Sequence, residues 1–223
     1  MRIPVTKPFL PSLEAYKKYI DEIWEREWLT NHGPLVTRFE EKLRRYLETP
    51  HLSVITSGTF GLQFALKRLS KGSEVITTPF SYVATTASIV WEGYKPVFAD
   101  VDPRTLNLDP EKAEEAITEK TSAILATHVY GNPCDIDRLE ALARKHNLTL
   151  IFDAAHAFGT RFRGKSVLNF GNYSALSFHA TKLFHTVNGG AIVSPSEKET
   201  KVFEKFRNFG HIGVNEFEGM GVN

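Results

Sequence analysis

Leu148-Thr-Leu-Ile-Phe-Asp-Ala-Ala-His156 is the stretch that decides the fold. Four of its first five residues are apolar and there is no polar alternation. A strand with one wet face would alternate, so this run reads as a strand covered on both faces, the condition of a parallel sheet. Ala123-Ile-Leu-Ala126 has the same character. Outward from these, short apolar runs at 52–56, 74–77, 96–101, 122–129 and 149–153 alternate with helical patterns near 60–69, 82–92, 110–118 and 135–146. That alternation predicts an α/β fold, a mostly parallel central sheet with helices on both faces. The pattern at 82–92, with Val83, Ala87, Ile89 and Val90, is apolar nearly all round and is expected to be buried.

Two helices are expected before the first strand, over 11–28 and from Pro34 onward. Leu13, Tyr16, Ile20, Ile23 and Trp24 form the stripe of the first. Val36, Phe39, Leu43, Tyr46 and Leu47 form that of the second, whose charged face is expected to be solvated. A last helix over 196–208 starts with Ser196 as N-cap and Glu199 three residues on. The Gly-rich run from Gly210 to Asn223 reads as loop.

The 223 residues are 42% hydrophobic and 24% charged, an ordinary globular composition. A net charge of +1 gives no reason to expect nucleic acid or an acidic membrane surface. The single Cys134 excludes an internal disulfide and a cysteine-based zinc cluster, and suits a reducing compartment. The first residues contain no apolar signal-peptide core, and no run is long enough to span a membrane. His128, His179 and His185 form no convergent motif with carboxylates, so no metal site is expected.

Parallel sheets gather ligands at the carboxyl ends of their strands. Four features stand there. Ser57-Gly-Thr59 opens a helix, where free N–H groups favour an anion or simply receive an N-cap. Tyr82, in Thr78-Pro-Phe-Ser-Tyr82, offers a ring for stacking, or for the core. Asp153 directly follows apolar residues and needs a cation, an N-cap role or a salt bridge. Lys182, flanked by Phe178, Leu183 and Phe184, either snorkels out of an apolar loop or is tuned by desolvation to attack an aldehyde. Each alone has its plainer role. Together they match the phosphate, ring, ring nitrogen and aldehyde of pyridoxal 5'-phosphate. No Gly-x-Gly-x-x-Gly or P-loop motif follows a strand.

Eight pieces then carry a family resemblance: Gly33 to Glu40, Ser57-Gly-Thr59, Thr78 to Thr85, Pro96 to Asp102, His128 to Pro133, Asp153-Ala-Ala-His156, Ser177-Phe-His-Ala-Thr-Lys182 and Gly189-Gly-Ala191. In this order the chain resembles the DegT/DnrJ/EryC1/StrS family of pyridoxal-phosphate-dependent sugar aminotransferases, fold type I. Its nearest likeness is the branch acting on nucleotide-linked 4-keto-6-deoxyhexoses. The resemblance implies that Lys182 links the cofactor covalently and shuttles the substrate proton. It puts Asp153 on the pyridinium nitrogen, His156 near the ring hydroxyl, Tyr82 on the ring face, and Gly58, Thr59 and Ser177 on the phosphate. Asn223, from Gly221-Val-Asn223, would reach the phosphate in a partner subunit's site, so a homodimer with shared active sites is expected.

The implied reaction moves an amino group from an amino acid, glutamate, to a keto-sugar such as dTDP-4-keto-6-deoxyglucose. It belongs to surface-glycan or O-antigen synthesis in the cytoplasm. Phe152 and Asn188 stand where relatives commonly carry Glu. The family continues past this point into a small C-terminal domain, so residues 1–223 are expected to hold an N-terminal segment and the cofactor-binding large domain. A truncated homologue that binds the cofactor or a full-length partner without turnover is the alternative.

Overall fold

The computed structural model describes residues 3, 6–69, 74–213, 215–219, 221 and 222. Two helices come first, α1 (Leu13–Arg26) and α2 (Pro34–Leu47). Then follow β1 (Leu52–Ile55), α3 (Gly58–Leu66), β2 (Glu74–Thr77), α4 (Val83–Trp91), β3 (Lys95–Phe98), α5 (Pro110–Glu115), β4 (Thr121–Thr127), α6 (Ile136–His146) and β5 (Thr149–Asp153). A small hairpin, β6 (Arg161–Phe162) and β7 (Lys165–Ser166), precedes β8 (Tyr173–Ser177), β9 (Gly190–Val193) and α7 (Glu197–Phe206).

Seven strands form one sheet in the order β1-β9-β8-β5-β4-β2-β3. Pairings from β8 through β3 are parallel; β9 runs antiparallel to both β8 and β1. The expected mostly parallel sheet is therefore present, with one reversed strand. β5 lies in the middle, paired to β4 on one side and β8 on the other. Ile124, Ala126, Leu150 and Phe152 point into one core with residues of α2, α5 and α6. Ala123, Leu125 and Ile151 point into the other, with residues of α3, α4 and α7. Strands buried on both faces explain the near-continuous apolar runs.

Local starts follow side-chain chemistry. The hydroxyls of Ser12, Ser57 and Ser196 accept the N–H of Ala15, Phe60 and Glu199 and so open α1, α3 and α7. Pro34 and Pro110 stand in the first turns of α2 and α5, where a missing N–H is harmless.

Three expectations need correction. α4 is not buried all round. Only Thr85, Ser88 and Ile89 are buried, while Val83, Val90 and Trp91 lie open, because the chain packs just one side of this helix. α1 has its predicted apolar stripe, yet no residue of it is buried, since no element among the described residues covers that face. The third strand ends at Phe98 rather than Val101, and the chain turns where the Asp102 carboxylate accepts the N–H groups of Arg104 and Thr105.

The charged face of α2 also departs from expectation at one residue. Glu40 is 2% exposed. Its Oε1 accepts the Val54 N–H at 2.7 Å and a hydrogen bond from Arg207; its Oε2 accepts from Arg44 at 3.3 Å. Arg207 also donates to the Val54 carbonyl at 2.8 Å. One buried carboxylate thus ties α2 to β1 and to the end of α7. Removing a single partner of such a cluster leaves uncompensated charge. Glu40→Ala is predicted to destabilise the fold by about 3–5 kcal/mol. Urea unfolding measures this, and an unchanged midpoint and slope would refute it.

Candidate functional site

The carboxyl ends of β5, β4 and β8 and the start of α3 converge on one region. Asp153, the last residue of β5, is 5% exposed. Its Oδ2 accepts the Thr85 hydroxyl of α4 at 2.7 Å, and its Oδ1 accepts the Ala155 N–H at 3.1 Å. It caps no helix, and among the described residues it takes part in no ion pair within 4.0 Å. A buried carboxylate held by two neutral donors lacks the positive charge that would offset its desolvation.

Lys182 lies half-buried in the loop between β8 and β9. Its backbone N–H donates to the His179 carbonyl, and its Nζ is 2.9 Å from Nε2 of His156. Burial lowers the ammonium's pKa, and the Asp153 charge opposes that effect. The amine is therefore freed of its proton more readily than a solvated lysine. His156 is held below the usual imidazole range by the surrounding protein and then by the Lys182 charge, against an upward pull from Asp153. Neutral imidazole is the form that can accept a hydrogen bond from Lys182.

Gly58, Thr59 and Ser177 come together through close backbone approach. A Cβ on Gly58 would lie 3.0 Å from the Leu176 carbonyl and 3.0 Å from Cβ of Ser177. A Cβ on Gly190 would meet the Gly58 nitrogen at 2.5 Å. Only glycines let the start of α3 sit directly on the ends of β8 and β9. The first amides of any helix lack intrahelical acceptors and carry the positive end of the dipole, so this concavity suits a phosphate. Tyr82 is the N-cap of α4 and is 73% exposed, at the mouth rather than in the core. Asn223 lies outside the described residues.

The donor set fits pyridoxal phosphate. A cradle for an anion, a buried carboxylate lacking a cation and a desolvated amine stand at one edge of one sheet.

Three residues escaped the sequence reading. Thr85 holds the Asp153 carboxylate, and only its place one turn after Tyr82 hints at this. Tyr130 has φ 54° and ψ 22°, and its ring lies 6.3 Å from that of His156 at 15°. Left-handed backbone at a bulky residue is uncommon, and no residue type in the sequence announces it. His128, at the end of β4, stacks on Phe152 with centroids 4.5 Å apart. Its Nδ1 accepts the Cys134 N–H at 3.1 Å and its Nε2 is buried without a partner.

A cleft of about 920 Å³ is lined by α1, residues 28–36, the end of β1 and α7, and none of the described site residues lines it. Among the described residues no cluster of His, Cys, Asp or Glu could hold a metal, and no helix is long and apolar enough to cross a membrane.

Comparison with known proteins points the same way. The family model described as the DegT/DnrJ/EryC1/StrS aminotransferase family matches residues 13–222. A dTDP-4-amino-4,6-dideoxy-D-glucose transaminase of Shigella dysenteriae is 47% identical over 98% of this chain and 60% of its own length. The crystal structure of DesI with its TDP-sugar product aligns with TM-score 0.92 at 34% identity, covering 99% of this chain and 56% of that one. The PLP form of the sugar aminotransferase Spr1654 of Streptococcus pneumoniae aligns at 0.91 and 27% identity, covering 100% of this chain and 62% of that one. The chain thus spans about 60% of the length of the curated relatives it matches.

Burial pushes the His128 imidazole down to about 4, while the unfolded chain keeps a histidine near its ordinary 6.5. Between those values the unfolded state binds more protons, so stability is full above pH 6.5 and is lost as pH falls toward 4. The contribution is about 3 kcal/mol. In urea titrations at pH 7 and 4.5, His128→Phe is predicted to lose less stability on acidification than the parent. Equal losses in the two proteins would rule the effect out.

Proposed function

Because the chain belongs to the DegT/DnrJ/EryC1/StrS aminotransferase family, we propose that it carries the large, cofactor-binding domain, with its N-terminal segment, of a nucleotide-sugar transaminase. The reaction moves an amino group from glutamate to a nucleotide-linked keto-deoxysugar of the dTDP-4-keto-6-deoxyglucose class, for surface-glycan or O-antigen synthesis in the cytoplasm. One observation carries this reading: Asp153 is buried, held by two neutral donors and, among the described residues, in no ion pair, at the same end of the sheet as Lys182. A pyridinium nitrogen is the cation that such a site wants. The relative's dTDP-sugar activity and the TDP-sugar in the DesI complex support the substrate class.

The residues would divide the work as follows. When bound, pyridoxal phosphate supplies an electron sink that stabilises negative charge on the carbon losing its proton. Asp153 holds the proton on the ring nitrogen by charge. Gly58 and Thr59 at the start of α3, with Ser177, bind the phosphate. Tyr82 covers the ring face, and His156 sits at the ring's edge. Lys182 anchors the cofactor and then moves the proton at the reacting carbon; its desolvation leaves the amine able to accept that proton. Asn223 is assigned to the phosphate on the resemblance alone.

The open apolar stripe of α1 and the exposed Val83, Val90 and Trp91 of α4 support a homodimer. Light scattering that gives twice the chain mass would support this assembly, and a monomeric mass would sink it. The alternative of a non-catalytic, cofactor-binding homologue is not favoured, since relatives are transaminases and the lysine and carboxylate are both present.

The test is the visible spectrum of the chain with pyridoxal phosphate, before and after borohydride. The parent should show a visible band that borohydride abolishes as it reduces the imine and fixes the cofactor covalently to the protein. Lys182→Ala should show none, and turnover should fall by about 10²–10⁴-fold, the range that a positioned acid–base supplies. A Lys182→Ala chain to which borohydride fixes the cofactor as it does to the parent refutes the assignment.

A further inference from the structure

Thr85 is buried completely on α4, facing the sheet. Its hydroxyl ignores its own helix. Ser88, one turn later and also buried, donates back to the Ala84 carbonyl at 2.7 Å, the usual local bond of a helical hydroxyl. Thr85 instead reaches 68 residues along the chain to Oδ2 of Asp153 at 2.7 Å. The Ala155 N–H holds the other oxygen. Two donors on two oxygens stop the carboxylate plane from turning.

Other hydroxyls nearby make no such bond. Thr127 stands directly beside Asp153 in the parallel register of β4 and β5, so the two side chains share a face of the sheet. Among the described residues its Oγ1 is buried without a partner, as is that of Thr77 at the end of β2. Of these three threonines, Thr85 alone engages the carboxylate. Lys182 and His156 stand 2.9 Å apart, and the Asp153 charge raises the proton affinity of both. Without the Thr85 hydroxyl, only the Ala155 N–H would resist a swing toward Lys182. Such a swing would remove the carboxylate from a ring nitrogen and tie up the amine as an ion pair.

We infer that Thr85 is a positioning residue. Its hydroxyl fixes the Asp153 carboxylate in the orientation that receives the cofactor's ring nitrogen and keeps it from pairing with Lys182. The inference rests on the pyridoxal-phosphate reading above. It also gives α4 two tasks from one turn. Tyr82 at its N-cap and Thr85, whose N–H donates to the Tyr82 carbonyl at 3.1 Å, would reach the cofactor's ring face and, through Asp153, its nitrogen.

The experiment compares Thr85→Ser, Thr85→Ala and Thr85→Val in the full chain. It reads the dissociation constant for pyridoxal phosphate, the position of the visible band at saturation, and the melting temperature without cofactor. Serine and alanine differ by the hydroxyl alone. Thr85→Ser should bind within about threefold of the parent and keep its band. Thr85→Ala and Thr85→Val should bind about 10- to 100-fold more weakly, the loss typical of removing the residue that orients a ligand-binding side chain. Their saturated band should be displaced, which a purely structural role would not cause. Parent-like affinity and band in the alanine and valine chains would overturn the inference while leaving the cofactor reading intact. So would a serine chain as impaired as alanine, or loss of cooperative melting in both alanine and valine chains. A parent chain with no borohydride-fixed cofactor would overturn the cofactor reading and this inference with it.

Discussion

A carboxylate buried at the end of the central strand, with hydrogen-bond donors but no cation, is the constraint on which the site depends. Asp153 sits where β5 leaves a sheet covered on both faces, so water cannot solvate it fully. Two neutral donors offset part of that desolvation and orient the charge. The remainder is an electrostatic demand for a positive group. Lys182 could answer it only by giving up its free amine. A cation that arrives with a ligand answers it without that loss. In the proposed site the same buried charge would serve recognition and prepare the chemistry.

The second constraint is steric. The start of α3 rests on the ends of β8 and β9 with no room for a Cβ at Gly190 and little at Gly58. That contact brings a helix dipole and its first amides beside Ser177, five residues before Lys182 in the chain. The start of α3 and the amine are therefore fixed to one loop-and-helix junction, and the carboxylate to the neighbouring strand. Rigid elements, rather than long loops, set the spacing between them. On the same strand that leads into α3, the Glu40 cluster ties α2 and the end of α7 to β1.

Much of this was legible in the residues. The apolar runs and their alternation with helical patterns predicted the sheet, its mainly parallel pairing and its two helical layers, because burial on both faces leaves a compositional trace. Ser57 and Ser196 marked helix starts through local chemistry alone. The strand-end features Ser57 to Thr59, Tyr82, Asp153 and Lys182 were found by asking which chemistry-bearing groups follow apolar runs, while Ser177 and His156 came from the family resemblance. Missed features share a cause. Thr85 reads as an ordinary helical threonine, Tyr130 as an ordinary aromatic, and Glu40 as one charge on a solvated face. Each owes its role to a partner distant in sequence, or to a backbone angle that no neighbour dictates. The apolar residues of α1 and α4 failed in the opposite direction. Hydrophobicity says that a face wants cover; it does not say that the same chain provides it.

The sequence by itself determined the periodicities, the caps, the residue types at the strand ends and, through ordered motifs, the family. These are properties of neighbours along the chain, where a few residues suffice to set backbone preference and burial. Only the tertiary structure decided that β9 is reversed, that Thr85 rather than Thr127 or Thr77 engages Asp153, and that Lys182 meets His156. It also decided which apolar faces stay open. Those outcomes depend on distances between elements far apart in sequence, and such distances come from packing.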